Sequence, residues 1–360
     1  MFIHNCSTIP QNISTDGTGQ LRFYTIFGYG SALMCIIGIL TNLANIIVLS
    51  QPTMRSPTNW VLTWLAIADL LTMVVYLPNV CHYYIFNNII LPLFSVTSNK
   101  IWAYYRLTII SFVLISHAAA VWFTVVLAVI RYLHLSLPTI GPQIANIENT
   151  TISIAIVSVL SLIFTIPNMM INEVNRCVGF TFDKQSKAFH TFYEIKSINK
   201  LEINFWIQSI IFKIVPSFVL SVLTILLILK MQHIGKRRNK LISRSDSQKK
   251  KKENRVTLML LMVVVLFLIV ELPHAILMLS SNFSQTCLEI YETLGDLIDF
   301  LTLVNESINF ILYTTMSKQF RRVFIMTFCR GKCCQSVSSE VRVDTQVFLT
   351  SGRLQWTCIH

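Results

Sequence analysis

Long apolar runs separated by short polar ones dominate the chain. Seven of them approach or exceed the ~20 residues a helix needs to cross the hydrocarbon core of a bilayer. They predict membrane spans at 24–50, 58–83, 101–135, 151–170, 203–231, 256–280 and 288–315. Pro78, Pro167, Pro216 and Pro273 fall inside these runs and predict kinks. After the last span the pattern becomes amphipathic. Phe320, Val323, Phe324 and Thr327 or Phe328 share one helical face, and Lys318, Arg321 and Arg322 the other. That pattern predicts a short helix lying on the membrane surface. The expected fold is an all-α membrane protein, a seven-transmembrane helix bundle with a short amphipathic surface helix. The chain divides into a tail (1–23), the bundle (24–316), the surface helix with a cysteine cluster (317–334) and a polar, flexible tail (335–360).

Composition agrees with this reading. Of the 360 residues, 53% are hydrophobic and 13% charged, about half the charged share of a soluble domain. Mean hydropathy is +0.60, and the bundle leaves no room for a second folded domain. The net charge of +12 sits in loops rather than on a nucleic-acid-binding face. Its densest stretch, 235–255, holds Lys236, Arg237, Arg238, Lys240, Arg244, Lys249 to Lys252 and Arg255 against Asp246 and Glu253. Basic loops stay on the cytoplasmic side. Counting back five crossings puts the N-terminus outside, where the Asn-x-Ser sequons at Asn5 and Asn12 suit glycosylation. The 171–200 segment then lies outside as a long polar loop. No signal peptide is expected, because 1–20 lacks a basic stretch followed by an apolar one. The nine cysteines show no metal-binding spacing. Cys329, Cys333 and Cys334 sit at the height for palmitoylation, or are plain juxtamembrane cysteines.

Candidate chemistry lies in the polar residues within the spans, where ionisable groups are costly. Asp69 in the second span and Asn305, Glu306 and Asn309 in the seventh either hold a cation, a sodium ion at Asp69, or pack the helices as a polar cluster. Lys213 stands three residues before Pro216, and Glu271 two before Pro273. The two are expected to pair, or Glu271 faces a ligand cavity. Asp296 and Asp299 are one turn apart near the outer end of the seventh span. They either receive a cationic ligand group or are simply wetted by the outer vestibule, and Glu271, His274 and Lys213 are further ligand candidates. His117 reads as a satisfied interior histidine. There is no HExxH, P-loop, nucleophile elbow, CxxC pair or pore signature, so no enzyme is expected. Arg131 closes the third span. It is either a snorkelling anchor or a switch held by another helix.

These residues resemble the rhodopsin-like (class A) G-protein-coupled receptors over 24–334. The likeness rests on Asn42, Leu65-Ala66-Ile67-Ala68-Asp69, Ile130-Arg131-Tyr132, Pro216, Pro273, Asn309-Phe310-Ile311-Leu312-Tyr313, and Phe320-Arg321. Ile130 replaces the family's acid and Phe310 its proline. Val270-Glu271-Leu272-Pro273 replaces Cys-Trp-x-Pro. With Asn309-Phe310, it looks like the invertebrate myosuppressin, sex-peptide and FMRFamide-like neuropeptide receptors. The resemblance implies a plasma-membrane receptor for an extracellular peptide, often ending in Arg-Phe-amide, coupled to a heterotrimeric G protein. It implies switch roles for Arg131, Tyr132, Pro273, Asn309 and Tyr313. Glu253, 20 residues before Pro273, lies about 30 Å away along a helix axis. That is the depth expected of Arg131, so the two form a candidate lock, or Glu253 only balances its lysine neighbours. The family's cysteine at the outer end of the third span is missing and Arg106 stands near its place. Cys177 is left with Cys81, Cys6 or Cys287 as candidate partners. The alternatives are a transporter or ion-conducting protein, or a seven-helix protein that binds peptide without signalling.

Overall fold

A computed structural model describes residues 4–5, 17–86, 96–97, 99–183, 186–197, 206, 208–238, 247–281 and 283–328. Seven long helices follow one another: α1 (Gly17–Leu49), α2 (Pro57–Val80), α3 (Lys100–Ser136), α4 (Ile147–Ile171), α5 (Val215–Arg238), α6 (Ser247–Ser281) and α7 (Gln285–Met316). The short α8 (Lys318–Phe328) comes after them. Asn12, Cys6, Cys329, Cys333, Cys334 and the 335–360 tail lie outside the described residues, as do the side chains of Asn5, Cys177 and Glu253.

Local chemistry sets the helix starts. The Ser56 hydroxyl accepts from the Asn59 N–H at 3.2 Å, and Pro57 supplies the first turn of α2. Asn99 caps α3 through the Ile101 N–H at 2.9 Å, and Asn146 caps α4 through the Asn149 N–H at 2.8 Å. In α8 the Ser317 hydroxyl accepts from the Phe320 N–H at 3.1 Å. The Arg321 guanidinium then donates to the carbonyls of Thr314 and Thr315 at 2.8 and 2.7 Å, satisfying the open end of α7.

Six of these helices are long and apolar enough to cross a membrane by composition. The seventh, α7, carries Glu289, Glu292, Asp296, Asp299 and Glu306, which lower its hydropathy. Its 32 residues still span about 48 Å, and it packs between α1 and α6. The outer surface of the bundle is apolar. On α4 alone, Ile152, Ile156, Val159, Leu160, Ile163 and Ile166 are all exposed. So large a bare hydrophobic surface belongs against lipid. The interior is apolar toward the end opposite the sheet, where Leu62, Leu65, Phe123, Leu127, Ile130, Tyr313 and Phe320 pack together.

The structure departs from the hydropathy pattern in several places. The 171–200 segment is not a plain polar loop. It forms a β-hairpin, β3 (Asn172–Asp183) and β4 (Ser186–Ser197), in register from Asn172 opposite Ser197 to Asp183 opposite Ser186. Val, Phe, Thr, Tyr and Ile interleave with polar residues here, which suits a pleated strand but averages to low hydropathy. β1 (His4–Asn5) adds to β3 in parallel and β2 (Val96–Thr97) to β4 antiparallel, giving a sheet ordered β1-β3-β4-β2 at one end of the bundle. Helix α6 begins at Ser247, nine residues before the predicted span, so Glu253 sits on the same continuous helix as Pro273. Two wide π-type turns interrupt the regular helices, at Cys81–Phe86 after α2 and at Gln208–Ile214 leading into α5. Pro216 has no N–H for the Phe212 carbonyl, which loosens the helix at that point. Finally, Cys81 and Cys287 are free thiols, so neither is the partner expected for Cys177.

α1 approaches α2 and α7 closely at Gly38, where an added Cβ would run into Met73 and Ser307. Gly38→Leu should therefore destabilise the bundle by about 1–3 kcal/mol. A lower midpoint of thermal unfolding for the detergent-solubilised protein would show it, and an unchanged midpoint would count against the close contact.

Candidate functional site

Four helices each send one polar side chain to a single level of the interior. Lys213 comes from the π turn before α5, Glu271 from α6, His117 from α3 and Glu306 from α7. The π turn carries one extra residue relative to a regular turn, which helps aim Lys213 inward. Lys213 and Glu271, expected to pair, do so: Nζ donates to Oε2 at 2.7 Å. The same ammonium lies 2.9 Å from His117 Nε2 and 3.3 Å from His274 Nδ1. An ammonium has three donors and no acceptor, so its capacity is filled. Glu271 is 1% exposed and Lys213 7%. Glu271 is therefore neutralised inside the bundle rather than presented to an open cavity, against the second reading of it above.

His117 is more than an isolated interior histidine. Its Nδ1 is 3.4 Å from Glu306 Oε1, and its Nε2 is 3.2 Å from Glu271 Oε1. Below this layer, Asn309 Nδ2 donates to Asp69 Oδ2 at 3.1 Å. Asn42, fully buried, donates to the Glu306 carbonyl at 3.2 Å and ties α1 to α7. A cavity of about 20 Å³ lies between the two levels, lined by Asp69, His117, Thr124, Asn305, Glu306 and Asn309. Glu306 Oε2 is buried with no hydrogen-bond partner among the described residues. Among those residues no group of three His, Cys, Asp or Glu side chains is arranged as a metal centre.

Above the layer, toward the sheet, is a vestibule rich in aromatic side chains. The Tyr84 hydroxyl donates to Asp296 Oδ1 at 2.8 Å and the Tyr76 hydroxyl approaches Asp299 Oδ2 at 3.4 Å. Asp296 is half-buried and Asp299 exposed. His82 stacks on Trp102 at 3.8 Å, and the Arg106 guanidinium lies over the Tyr83 ring at 4.7 Å. His274 stacks with Tyr291 at 5.9 Å and bridges vestibule and layer.

At the other end of α3, Arg131 is half-buried, and its Nε has no hydrogen-bond partner among the described residues. Tyr132 is half-buried beside it. Tyr313 is 2% exposed and packs on Phe320, with ring centroids 5.7 Å apart. In this arrangement it is closed off from any cleft with Arg131.

A seven-helix bundle whose polar positions fall on these landmarks can be set against known proteins. The family model described as serpentine type 7TM GPCR chemoreceptor Srw matches residues 29–331. The chain belongs to this G-protein-coupled receptor family. Relatives include the G-protein coupled receptor dmsr-1 of Caenorhabditis elegans, 25% identical over 91% of this chain and 73% of that protein. The sex peptide receptor of Drosophila melanogaster is 26% identical over 83% and 71%. The FMRFamide receptor of the same fly is 21% identical over 87% of this chain and 55% of its own length. The receptor is thus a multi-pass membrane protein and not an enzyme. Membership of a receptor family also removes the ground for the transporter alternative.

The structure brings Lys213, Glu271 and His274 together, and Asp69 with Asn309. Asp296 and Asp299 hydrogen-bond instead with Tyr84 and Tyr76, toward the sheet. His117, Asn42, Tyr76 and Tyr84 escaped the sequence reading as partners. A helical wheel carries a signal for His117. It lies 14 residues before Arg131, within about 40° of the same inward face.

Breaking a buried ion pair from one side strands the other charge. Lys213→Met should cost this receptor about 3–5 kcal/mol of stability, whereas the double variant Lys213→Met, Glu271→Met should recover most of that loss. Thermal unfolding of the three purified proteins decides it. Equal losses in the single and double variants would contradict the pairing.

Proposed function

We propose that this receptor binds an extracellular neuropeptide, an amidated FMRFamide-like or myosuppressin-like peptide, and activates a heterotrimeric G protein by moving α6. The observation that carries the reading is the pair of carboxylates Asp296 and Asp299. They are one turn apart, with tyrosine partners, at the sheet end of the bundle. They sit clear of the layer whose lysine is already committed to Glu271. A peptide arginine gains bidentate, charge-assisted bonds there, and the surrounding Tyr, Trp and His rings suit a neighbouring phenylalanine. The names of the fly FMRFamide and sex peptide receptors support a peptide ligand. The N-terminus is then outside with the sheet, and the basic 235–255 stretch is in the cytoplasm at the opposite end. The plasma membrane is the corresponding location.

Transmission is a population shift, in which the ligand favours the arrangement it binds more tightly. Pro273 breaks the hydrogen-bond ladder of α6 near Glu271, so the long segment from Pro273 back to Ser247 can pivot as a lever. Glu253 rides on that lever and is proposed to restrain Arg131, which has no adjacent acid because Ile130 occupies that place. Release would free Arg131, Tyr132 and Tyr313 for a G-protein helix. A sodium ion at Asp69 is proposed as a further restraint. The small cavity beside it is lined by carboxylate and amide oxygens, which suit a hard cation. One lysine faces three carboxyls across the two levels, so a cation would also reduce the charge imbalance.

The test is a panel of amidated peptides applied to cells expressing the receptor and read by G-protein activation. An Arg-Phe-amide peptide should activate it, and Asp299→Asn should raise the half-effective concentration about 10-fold or more. Arg131→Ala should abolish activation at equal surface expression while peptide still binds. Silence toward every such peptide would sink the ligand assignment. Binding without activation in the native receptor would instead support a non-signalling protein. Glu253→Ala should raise ligand-independent signalling several-fold, and unchanged basal activity at matched expression would count against the Arg131 restraint.

A further inference from the structure

His117 is the one α3 side chain in the charged layer among the described residues, and both of its ring nitrogens are engaged. The ammonium of Lys213 can only donate, so His117 Nε2 must present its lone pair to it at 2.9 Å. The ring proton then sits on Nδ1, facing Glu306 Oε1 at 3.4 Å. Glu271 Oε1 lies 3.2 Å from the same Nε2. The imidazole therefore spans two different helices with two different roles. It accepts from the α5 lysine that holds α6, and it donates to the α7 glutamate. Glu306 is three residues from Asn309, whose amide reaches Asp69.

We infer that His117 is a positioning residue that braces α6 against α3 and α7, linking the Lys213–Glu271 pair to the Asp69–Asn309 pair. The inference rests on the signalling reading above only for its link to G-protein output. Glu271 is two residues from Pro273, so α6 cannot pivot there without disturbing Glu271. Its carboxylate is held by Lys213, and Lys213 is held in turn by His117. A rigid ring cannot tilt to follow one partner without loosening the other. Displacement of α6 therefore reaches Glu306 through the ring, and a fixed Glu306 resists displacement of α6. Of the groups facing the ring, Lys213, Glu271 and Glu306 belong to other helices, so the brace joins elements far apart in sequence.

The test uses the full-length receptor with two spin labels, one at the end of α6 far from the sheet and one at the same end of α4. Distances are read without ligand or G protein. His117→Phe keeps the ring and removes both polar links. It should shift the distance distribution outward and raise basal signalling per surface receptor several-fold. His117→Asn keeps one donor and one acceptor but on a shorter side chain that cannot span both partners as the ring does, and should give an intermediate shift. Glu306→Gln, as an independent route, should also shift it outward. A distribution unmoved in both His117→Phe and Glu306→Gln overturns the brace, as does an equal shift in the Phe and Asn variants. A merely structural role would lower expression and melting temperature in both variants without the graded shift. If the distances move as expected but G-protein output does not, the brace stands and the signalling reading fails.

Discussion

A lysine and a glutamate buried in the middle of a membrane bundle constrain everything around them. Neither can be left alone there, because an uncompensated charge in so dry a place is more expensive than most single contacts in the fold. Lys213 and Glu271 answer that constraint together at 2.7 Å, and His117 and His274 take up the remaining donors of the ammonium. The geometry of α5 follows from this need. Its first turn is wide rather than regular, and that turn carries Lys213. The position of α6 follows as well, since the glutamate adjoins its proline. An ion pair of this kind adds little net stability over a well-packed apolar core. It specifies one relative placement of four helices, and any other placement has to re-satisfy the same charges.

The vestibule and the layer differ in what they have left to offer. In the layer, positive and negative groups are consumed by each other. Toward the sheet, the hydrogen-bond partners of Asp296 and Asp299 among the described residues are tyrosine hydroxyls. The proposed cationic ligand group would compete with hydroxyl partners there, and with an ammonium at Glu271. Two sets of acidic residues on neighbouring helices thus differ in their partners, an ammonium for one and tyrosine hydroxyls for the other.

Much of the fold was legible from hydropathy alone, because a bilayer imposes a minimum apolar length on each crossing. The proximity of Lys213 and Glu271 to their prolines was enough to suggest their pairing. The β3–β4 hairpin was not legible by the same measure, since alternating Phe and Val with polar residues averages to a loop-like value. His117 is the satisfied interior histidine expected, but its partners were not legible. A lone histidine says nothing about which neighbours face it until the rotation of four helices is known. Sequence alone cannot choose a connectivity for Cys177, and of its candidate partners Cys81 and Cys287 are free thiols. Glu253 lies on an α6 that is continuous from Ser247 to Ser281.

The π turn at Gln208–Ile214 has a consequence for how this gene can change. A π turn is a regular helix with one residue inserted. Deleting Ile214, the one residue of the turn between Lys213 and α5, would rotate Lys213 and the residues before it by about 100° about the axis. Lys213 would lose its aim at Glu271, although no side chain in the layer had been substituted. Short insertions and deletions there are therefore as consequential as replacing the lysine. Tolerance of length variation should fall sharply on passing from the loops into this one turn.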